Sequence, residues 1–301
     1  MPNTSSAPSA TPSAVLVTGA SGGIGLATAL RLASDGMQVF AGVRSPETVR
    51  TLREAHGPAL HPVLLDVTDS ASCARAMTEI TRMLAGRPLT ALVNNAGIAV
   101  QGPLETLPLE ELTAQFEVNL FGVARMVQAA LPLLRQAAMA GERVTIVNVG
   151  SIGGRIPIPF NGPYNASKFA LVGYDGALRQ ELRPWGIRVA LVEPGTTRTA
   201  IWSKVEASVE QSLAGGGALY APMLARYRAS VQALQRGGKP PEFVARQIVR
   251  LIAARAPAHR VLVGDARLMA LLTWLPTRLR DHLMARGLGL PGRGAALRAR
   301  A

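Results

Sequence analysis

"AVLVTGASGGIGLATALRLASDG", residues 14–36, runs from an apolar, β-branched stretch through a cluster of glycines into a segment with apolar residues at helical spacing. The order strand, tight turn, helix decides the fold. Gly19, Gly23 and Gly25 can take backbone angles closed to other residues and let an anion approach the main chain. The helix that opens at the turn aims its unpaired N–H groups and the positive end of its dipole at the same spot. A dinucleotide pyrophosphate is the anion that fits such a loop when a strand precedes it and a helix follows. Thr18, Gly19, Ser21, Gly23, Ile24 and Gly25 are the resulting cofactor-binding candidates.

Outward from this turn the rhythm repeats. Strand-like runs at 37–43, 60–67, 90–97, 143–151, 187–195 and 259–265 alternate with helical patterns such as those over 23–35, 69–85, 109–140, 163–183 and 241–253. This alternation predicts an α/β fold, a Rossmann-type doubly wound parallel sheet with helices on both faces. Strands apolar on both sides agree with burial on both faces. A single domain is expected over 14–275, after a flexible tail at 1–13 rich in Ser, Pro, Thr and Ala, and before a basic extension at 276–301. Residues 196–240 interrupt the rhythm after a strand. They read as a helical lid, because ligands in such sheets lie beyond the carboxyl ends of the strands.

The 301 residues are 48% hydrophobic, enough for a sizeable core. The single cysteine, Cys73, excludes an intrachain disulfide and a cysteine-based metal site, so no metal is expected and a cytoplasmic setting fits best. The most apolar candidate span, "LMALLTWLP" at 268–276, is far shorter than the roughly 20 residues a membrane-crossing helix needs. Net charge is +13, and residues 265–301 carry seven arginines against two aspartates. No dense basic run interleaved with aromatics points to nucleic acid. The leucines among those arginines could touch an anionic lipid surface, making the protein peripheral to the inner face of a membrane; a solvated arginine-rich end is the plainer alternative.

Further motifs follow in order: "NNAG" at 94–97, Asn119 in a long helical stretch, Ser151 after the fifth strand, "YNASK" at 164–168, and "PG" at 194–195 followed by Thr199. With T-G-x-x-x-G-x-G at 18–25 and thirteen residues from Ser151 to Tyr164, the sequence resembles the classical short-chain dehydrogenase/reductase family over about 14–264. The lid and "FEVNLFG" look most like its retinol- and steroid-type branch and bacterial relatives. The resemblance implies an NAD(P)-dependent oxidoreductase acting on CH–OH groups, with Asn119, Ser151, Tyr164 and Lys168 catalytic. It places further cofactor contacts at Asp66, Val67, Asn94, Ala96, Gly97, Tyr164, Lys168, Pro194, Gly195 and Thr199. Lys168 is expected on the nicotinamide ribose, and Asn119 is expected to support a water linking Lys168 to solvent. The same resemblance implies a homodimer or homotetramer, paired through helices around 109–135 and 163–182. Asp66 could instead cap the helix that follows, although Asp69 is better placed to do so.

Tyr164 and Lys168 share a helix face. A free tyrosine has a pKa of about 10, and a nearby ammonium is expected to lower it by about 1 to 3 units, making the phenol a usable acid and base. Ser151 can donate a hydrogen bond to a carbonyl oxygen. NAD sites usually end the second strand with a carboxylate that holds the ribose hydroxyls. Here Arg44 stands after "QVFAGV", so NADP(H), with its 2′-phosphate, is expected over NAD(H), although the glycine loop has Gly22 where a basic residue would add support.

Ile156, Ile158 and Phe160 before the tyrosine, and Trp202, Leu213, Tyr220, Met223 and Leu224 around a hinge-like "GGG" at 215–217, suggest an apolar pocket or the lid's own core. A lipophilic secondary or allylic alcohol and its carbonyl would suit that pocket. The alternative function is a non-catalytic dinucleotide-binding regulatory or scaffold protein, which has no need of all four catalytic candidates.

Overall fold

The computed structural model describes residues 13–199 and 217–292. Trp202, Leu213, Gly215, Gly216 and most of the expected N-terminal tail lie outside the described residues, as do Arg293, Arg298 and Arg300.

Seven strands form one sheet: β1 (Ala14–Thr18), β2 (Gln38–Val43), β3 (Leu60–Leu64), β4 (Leu89–Asn94), β5 (Thr145–Val149), β6 (Arg188–Pro194) and β7 (Arg260–Val263). Their order is β3-β2-β1-β4-β5-β6-β7, and every pair is parallel. The connecting helices are α1 (Gly23–Ser34), α2 (Pro46–His56), α3 (Ser70–Leu84), α4 (Leu109–Phe116), α5 (Gly122–Met139), α6 (Gly162–Leu182), α7 (Ala221–Gly237), α8 (Pro241–Ala253), α9 (Ala266–Met269) and α10 (Thr277–Gly287). Helix α2 adds to those expected from periodicity, with Ser45 accepting from the Thr48 N–H at 3.4 Å as its cap and Pro46 in its first turn. Asp69 caps α3 by accepting from the Ala71 N–H at 2.8 Å.

Alternation along each strand builds two cores. Leu16, Phe40, Leu92, Ile146 and Val189 face α3, α5 and α6, where they meet Ile80, Met126, Leu134 and Leu178. Val15, Val17, Val39, Val93, Val147 and Val192 face α1 and α8, against Leu32, Val244 and Ile248. β2 and β3 lie on one side of β1, while β4 to β7 lie on the other, so chain direction through the sheet reverses between β1 and β4. Loops leaving the carboxyl ends of β1 and β4 diverge there and open a crevice.

After β7 the chain forms α9, a 3-10 turn over Ala270–Trp274, and α10. Ala266 and Ala270 are buried against Ile152 and Ile156, with Met284 of α10 packed on the same cluster, so packed structure continues beyond residue 275. Among the described residues, no helix is long and apolar enough to cross a membrane.

Ile146 is fully buried in the middle of the sheet. Ile146→Ala should lower the unfolding free energy by about 2–5 kcal/mol, read by chemical denaturation; a loss under about 1 kcal/mol would contradict the packing described.

Candidate active site

The crevice is pinned by one buried hydroxyl. Thr18 Oγ1, at the end of β1, donates to the Val93 carbonyl at 3.4 Å and accepts from the N–H groups of Asn95 and Ala96, each at 3.0 Å. The Asn95 side-chain amide donates to the carbonyls of Thr18 and Gly19, both at 3.0 Å. Backbone therefore meets backbone with no room for side chains. A Cβ on Gly19, whose φ is +64°, would lie 2.7 Å from Ala96 Cα, and one on Gly25 would lie 2.3 Å from the Gly19 carbonyl oxygen. Gly22, by contrast, has open space beside it and caps α1 with no side chain. Among the described residues no side chain caps the first-turn amides of α1, from Gly23, Ile24 and Gly25, and the loop fits a pyrophosphate.

Thr199 stands over this loop: a Cβ on Gly23 would be 3.2 Å from Thr199 Cγ2. The segment that carries Thr199 is held at its root. Gly195 N–H donates to the Val263 carbonyl at 3.0 Å, and the Thr196 N–H and hydroxyl both donate to Asp265 at 2.8 Å. Pro194 ends β6, and just before it Glu193 is fully buried. Both Glu193 oxygens accept from two guanidinium forks, Arg155 at 2.9 and 2.6 Å and Arg260 at 3.1 and 2.5 Å. Their bonds fasten the turn after Ser151 to β6 and β7.

Other expected cofactor residues occupy different positions. Asn94 donates through Nδ2 to Asn148 at 2.9 Å and is buried, so its side chain braces β4 against β5. Asp66 Oδ1 accepts from the N–H and hydroxyl of Thr68 at 2.9 and 2.8 Å, closing a turn. Val67 is buried, and a Cβ on Gly122 would lie 2.7 Å from its Cγ2. Gly97 lies beside Asn119, where a Cβ would come 3.3 Å from Oδ1. Arg44 follows β2 and is exposed.

The catalytic candidates converge at the carboxyl end of β5. Ser151 Oγ accepts from the Gly153 N–H at 3.0 Å and shares a hydrogen bond with the Tyr164 hydroxyl. Lys168, one turn further along α6, is 6% exposed. Its Nζ donates to the Val149 carbonyl at 2.8 Å and lies 5.7 Å from the Tyr164 ring centroid. Asn119 sits on a π-helical turn, Glu117–Phe121, that divides the expected long helix. Its Oδ1 accepts from the Ile98 N–H at 2.9 Å, and Nδ2 donates to the Ile98 carbonyl and to Ser167 Oγ, each at 3.1 Å.

The phenol pKa lies in the opposite direction from the sequence-based expectation. Burial raises the pKa of Tyr164, because a buried phenolate loses its hydration, and the hydrogen bond from Ser151 offsets this only in part. Burial also lowers the Lys168 pKa to about 8, so the ammonium is kept at neutral pH but does not outweigh the burial of the phenol. At neutral pH the Tyr164 hydroxyl is a proton donor.

Two side chains that carry the geometry were hidden inside motifs. Asn95 is the second residue of "NNAG". Asn165, beside the tyrosine, donates to the carbonyls of Gly153 and Ile156 at 2.7 and 3.1 Å and accepts from the Ile158 N–H at 3.0 Å. Nothing in the spacing distinguishes them from their neighbours, since their partners are main-chain atoms brought close only by the fold.

Over the crevice, α7 lays Tyr227 against Phe160 with ring centroids 5.5 Å apart, and Tyr220 meets the same ring at 6.2 Å. Leu224 is buried among Ala99, Phe160 and Tyr220. Ile156 is buried under the segment after β7. These residues form cores beneath the lid and the C-terminal segment, whereas Ile158 and Met223 remain partly exposed. Arg198, Thr199, Gln232, Gln235 and Arg236 line an open groove of about 470 Å³ between the 194–199 segment and α7.

Residues 13–210 match the family model described as short chain dehydrogenase. The chain is 33% identical over 279 residues to the NADPH-dependent 3-dehydrocapnine reductase of Ornithobacterium rhinotracheale, covering 91% of this chain and 96% of the relative. It is 34% identical over 279 residues to the 3-ketodihydrosphingosine reductase of Bacteroides thetaiotaomicron, covering 91% and 97%. A crystal structure of a short-chain dehydrogenase/reductase from Burkholderia phymatum in complex with NAD superposes with a TM-score of 0.72 at 27% identity, covering 93% of this chain and 96% of that one.

Lys168 makes the cluster costly to fold. Below about pH 8 it carries its proton in both folded and unfolded states, and the folded state bears the full burial cost. Between about 8 and the ordinary value of 10.5 the unfolded chain binds more protons, so this cost fades as pH rises. Lys168→Met should therefore raise stability at pH 7 by on the order of 1–3 kcal/mol, with the gain over wild type shrinking between pH 8 and 10.5. Equal stabilities at pH 7, measured by denaturant titration, would contradict this.

Proposed function

This chain belongs to the short-chain dehydrogenase family, and we propose that within it the chain is an NADP-dependent oxidoreductase. In this reading it interconverts a lipophilic secondary or allylic alcohol and its ketone or aldehyde. The observation that carries the proposal is the Ser151–Tyr164–Lys168 cluster beside the uncapped glycine loop, where a proton donor and a pyrophosphate cradle open onto one crevice. A bound NADPH would supply the hydride.

The side chains supply the rest. Ser151 orients a carbonyl oxygen, and Tyr164, protonated at neutral pH, gives that oxygen its proton as the carbonyl carbon is reduced. Alcohol oxidation runs the same transfers backwards. Lys168 stands one turn from the phenol and would hold the ribose of a bound cofactor, and Asn119 joins the loop at Ile98 to Ser167 beside them. Thr18 and Asn95 shape the cradle. Gly19, Ser21, Gly23, Ile24, Gly25, Ala96, Gly97, Pro194, Gly195 and Thr199 would hold the dinucleotide there, and Asp66 and Val67 would contact its adenine.

Arg44 and the NADPH-dependent relative support NADP, although a structural neighbour binds NAD. The two named relatives are a 3-dehydrocapnine reductase and a 3-ketodihydrosphingosine reductase, which supports carbonyl reduction here, and the apolar residues around Phe160 and Leu224 favour a lipophilic carbonyl. A cytoplasmic homodimer or homotetramer in peripheral contact with a membrane completes the proposal.

Tyr164→Phe should leave NADPH affinity within about threefold while lowering turnover by at least about a hundredfold. Near-wild-type turnover would remove Tyr164 from the mechanism. Arg44→Asp should weaken NADPH at least about tenfold more than NADH, from the lost charge-assisted bond to the 2′-phosphate. An equal loss of both cofactors, measured by fluorescence titration, would refute that role.

A further inference from the structure

The segment after β7 has two unlike faces. Its inner face is core: Ala266, Ala270, Met269, Leu272 and Met284 pack with Ile152 and Ile156, the former being the residue that follows Ser151. On the outer side Leu268 is 73% exposed, Leu271 60% and Trp274 86%. Residues three apart eclipse one another in a 3-10 helix, so these three form one apolar row along α9 and the turn that continues it. In α10, Leu279 and Leu283 are also exposed, at i and i+4.

Charge surrounds the row. Arg267, Arg278 and Arg286 are exposed, and Asp281 is already answered by Arg280 at 3.5 Å. Arg293, Arg298 and Arg300 follow in sequence. The segment is also fastened to the site, for Asp265 holds Thr196, and Arg226 of α7 donates to the Gly289 carbonyl at 3.2 Å.

We propose that Leu268, Leu271 and Trp274 dock this face on an anionic lipid bilayer, with the surrounding arginines on the headgroup phosphates. A second copy of the chain is the poorer occupant. Two-fold pairing of this face would bring arginines of both copies together, and among the described residues of the segment both carboxylates are engaged, Asp265 with Thr196 and Asp281 with Arg280, whereas a phosphate layer supplies the counter-charge. Tryptophan and leucine seated at headgroup depth beside arginine are the composition of an interfacial anchor, and among the described residues no helix is long and apolar enough to cross. The inference deepens the proposed function and rests on it in one respect: a lipophilic substrate dissolves in the bilayer. Docking here sets α7 and the Ser151 turn beside that phase.

The test is vesicle flotation of the full chain with phosphatidylcholine alone and with phosphatidylcholine mixed with phosphatidylglycerol. Wild type should float with the mixed vesicles and be released by high salt. Leu271→Ser/Trp274→Ser and Arg267→Glu/Arg278→Glu should each retain less than about a tenth of that binding. Both should reduce a small water-soluble carbonyl at the wild-type rate. Absence of wild-type flotation, or flotation of both variants equal to wild type, would overturn the proposal. So would a fall in oligomer mass, by light scattering, in the serine variant with flotation unchanged, which would assign the face to a second copy. The substrate reading fails separately: wild type that floats yet reduces only small polar carbonyls, with no activity on detergent-dispersed long-chain ketones, keeps the docking and removes the lipophilic substrate.

Discussion

The buried Thr18 hydroxyl is the joint on which the crevice depends. A parallel sheet whose connections turn opposite ways at β1 and β4 pulls the two loops apart, and some group must hold them at a fixed spacing. Thr18 does so by serving two amides of the β4 loop, and Asn95 returns two bonds to the β1 loop. This stitching brings main chain against main chain, which is why Gly19 and Gly25 admit no Cβ. The glycines serve the fold and the anion cradle with the same atoms.

From that joint the site extends along the sheet edge by buried polar contacts. Asn94 to Asn148 and Asn148 to Asp175 link β4, β5 and α6, and the paired forks of Arg155 and Arg260 on Glu193 link the Ser151 turn, β6 and β7. Such groups gain little net stability over apolar packing but tolerate few alternative arrangements. Lys168 goes further and opposes folding. The apolar cores on both faces of the sheet bear that cost, a division common where reactive groups are held in place by a rigid frame.

The repeating strands and helices of the fold were legible because burial on both faces makes each strand a continuous apolar run. The glycine loop and Tyr164 with Lys168 were legible because their spacing is local. The π turn at Asn119 was hidden, since apolar residues still recur at three- and four-residue spacing on either side of a single widened turn. Thr18 and Asn94 belong to recognised motifs, yet their side chains face inward, a distinction that depends on which strands lie alongside. The direction of the Tyr164 pKa was equally out of reach, because burial outweighs the neighbour that spacing supplies. Arg155, Glu193 and Arg260 are far apart in sequence and meet only once β5, β6 and β7 pair.

Carbonyl chemistry in this crevice with a nicotinamide cofactor is open to a single test. The most direct measurement follows NADPH absorbance with the purified chain across aliphatic, aromatic, polycyclic and retinoid carbonyls, alongside a direct titration of NADPH binding. Cofactor consumption with the lipophilic carbonyls is the expected result. NADPH that binds but is not consumed by any of them, nor NADP by the matching alcohols, would contradict it and leave a dinucleotide-binding protein without turnover.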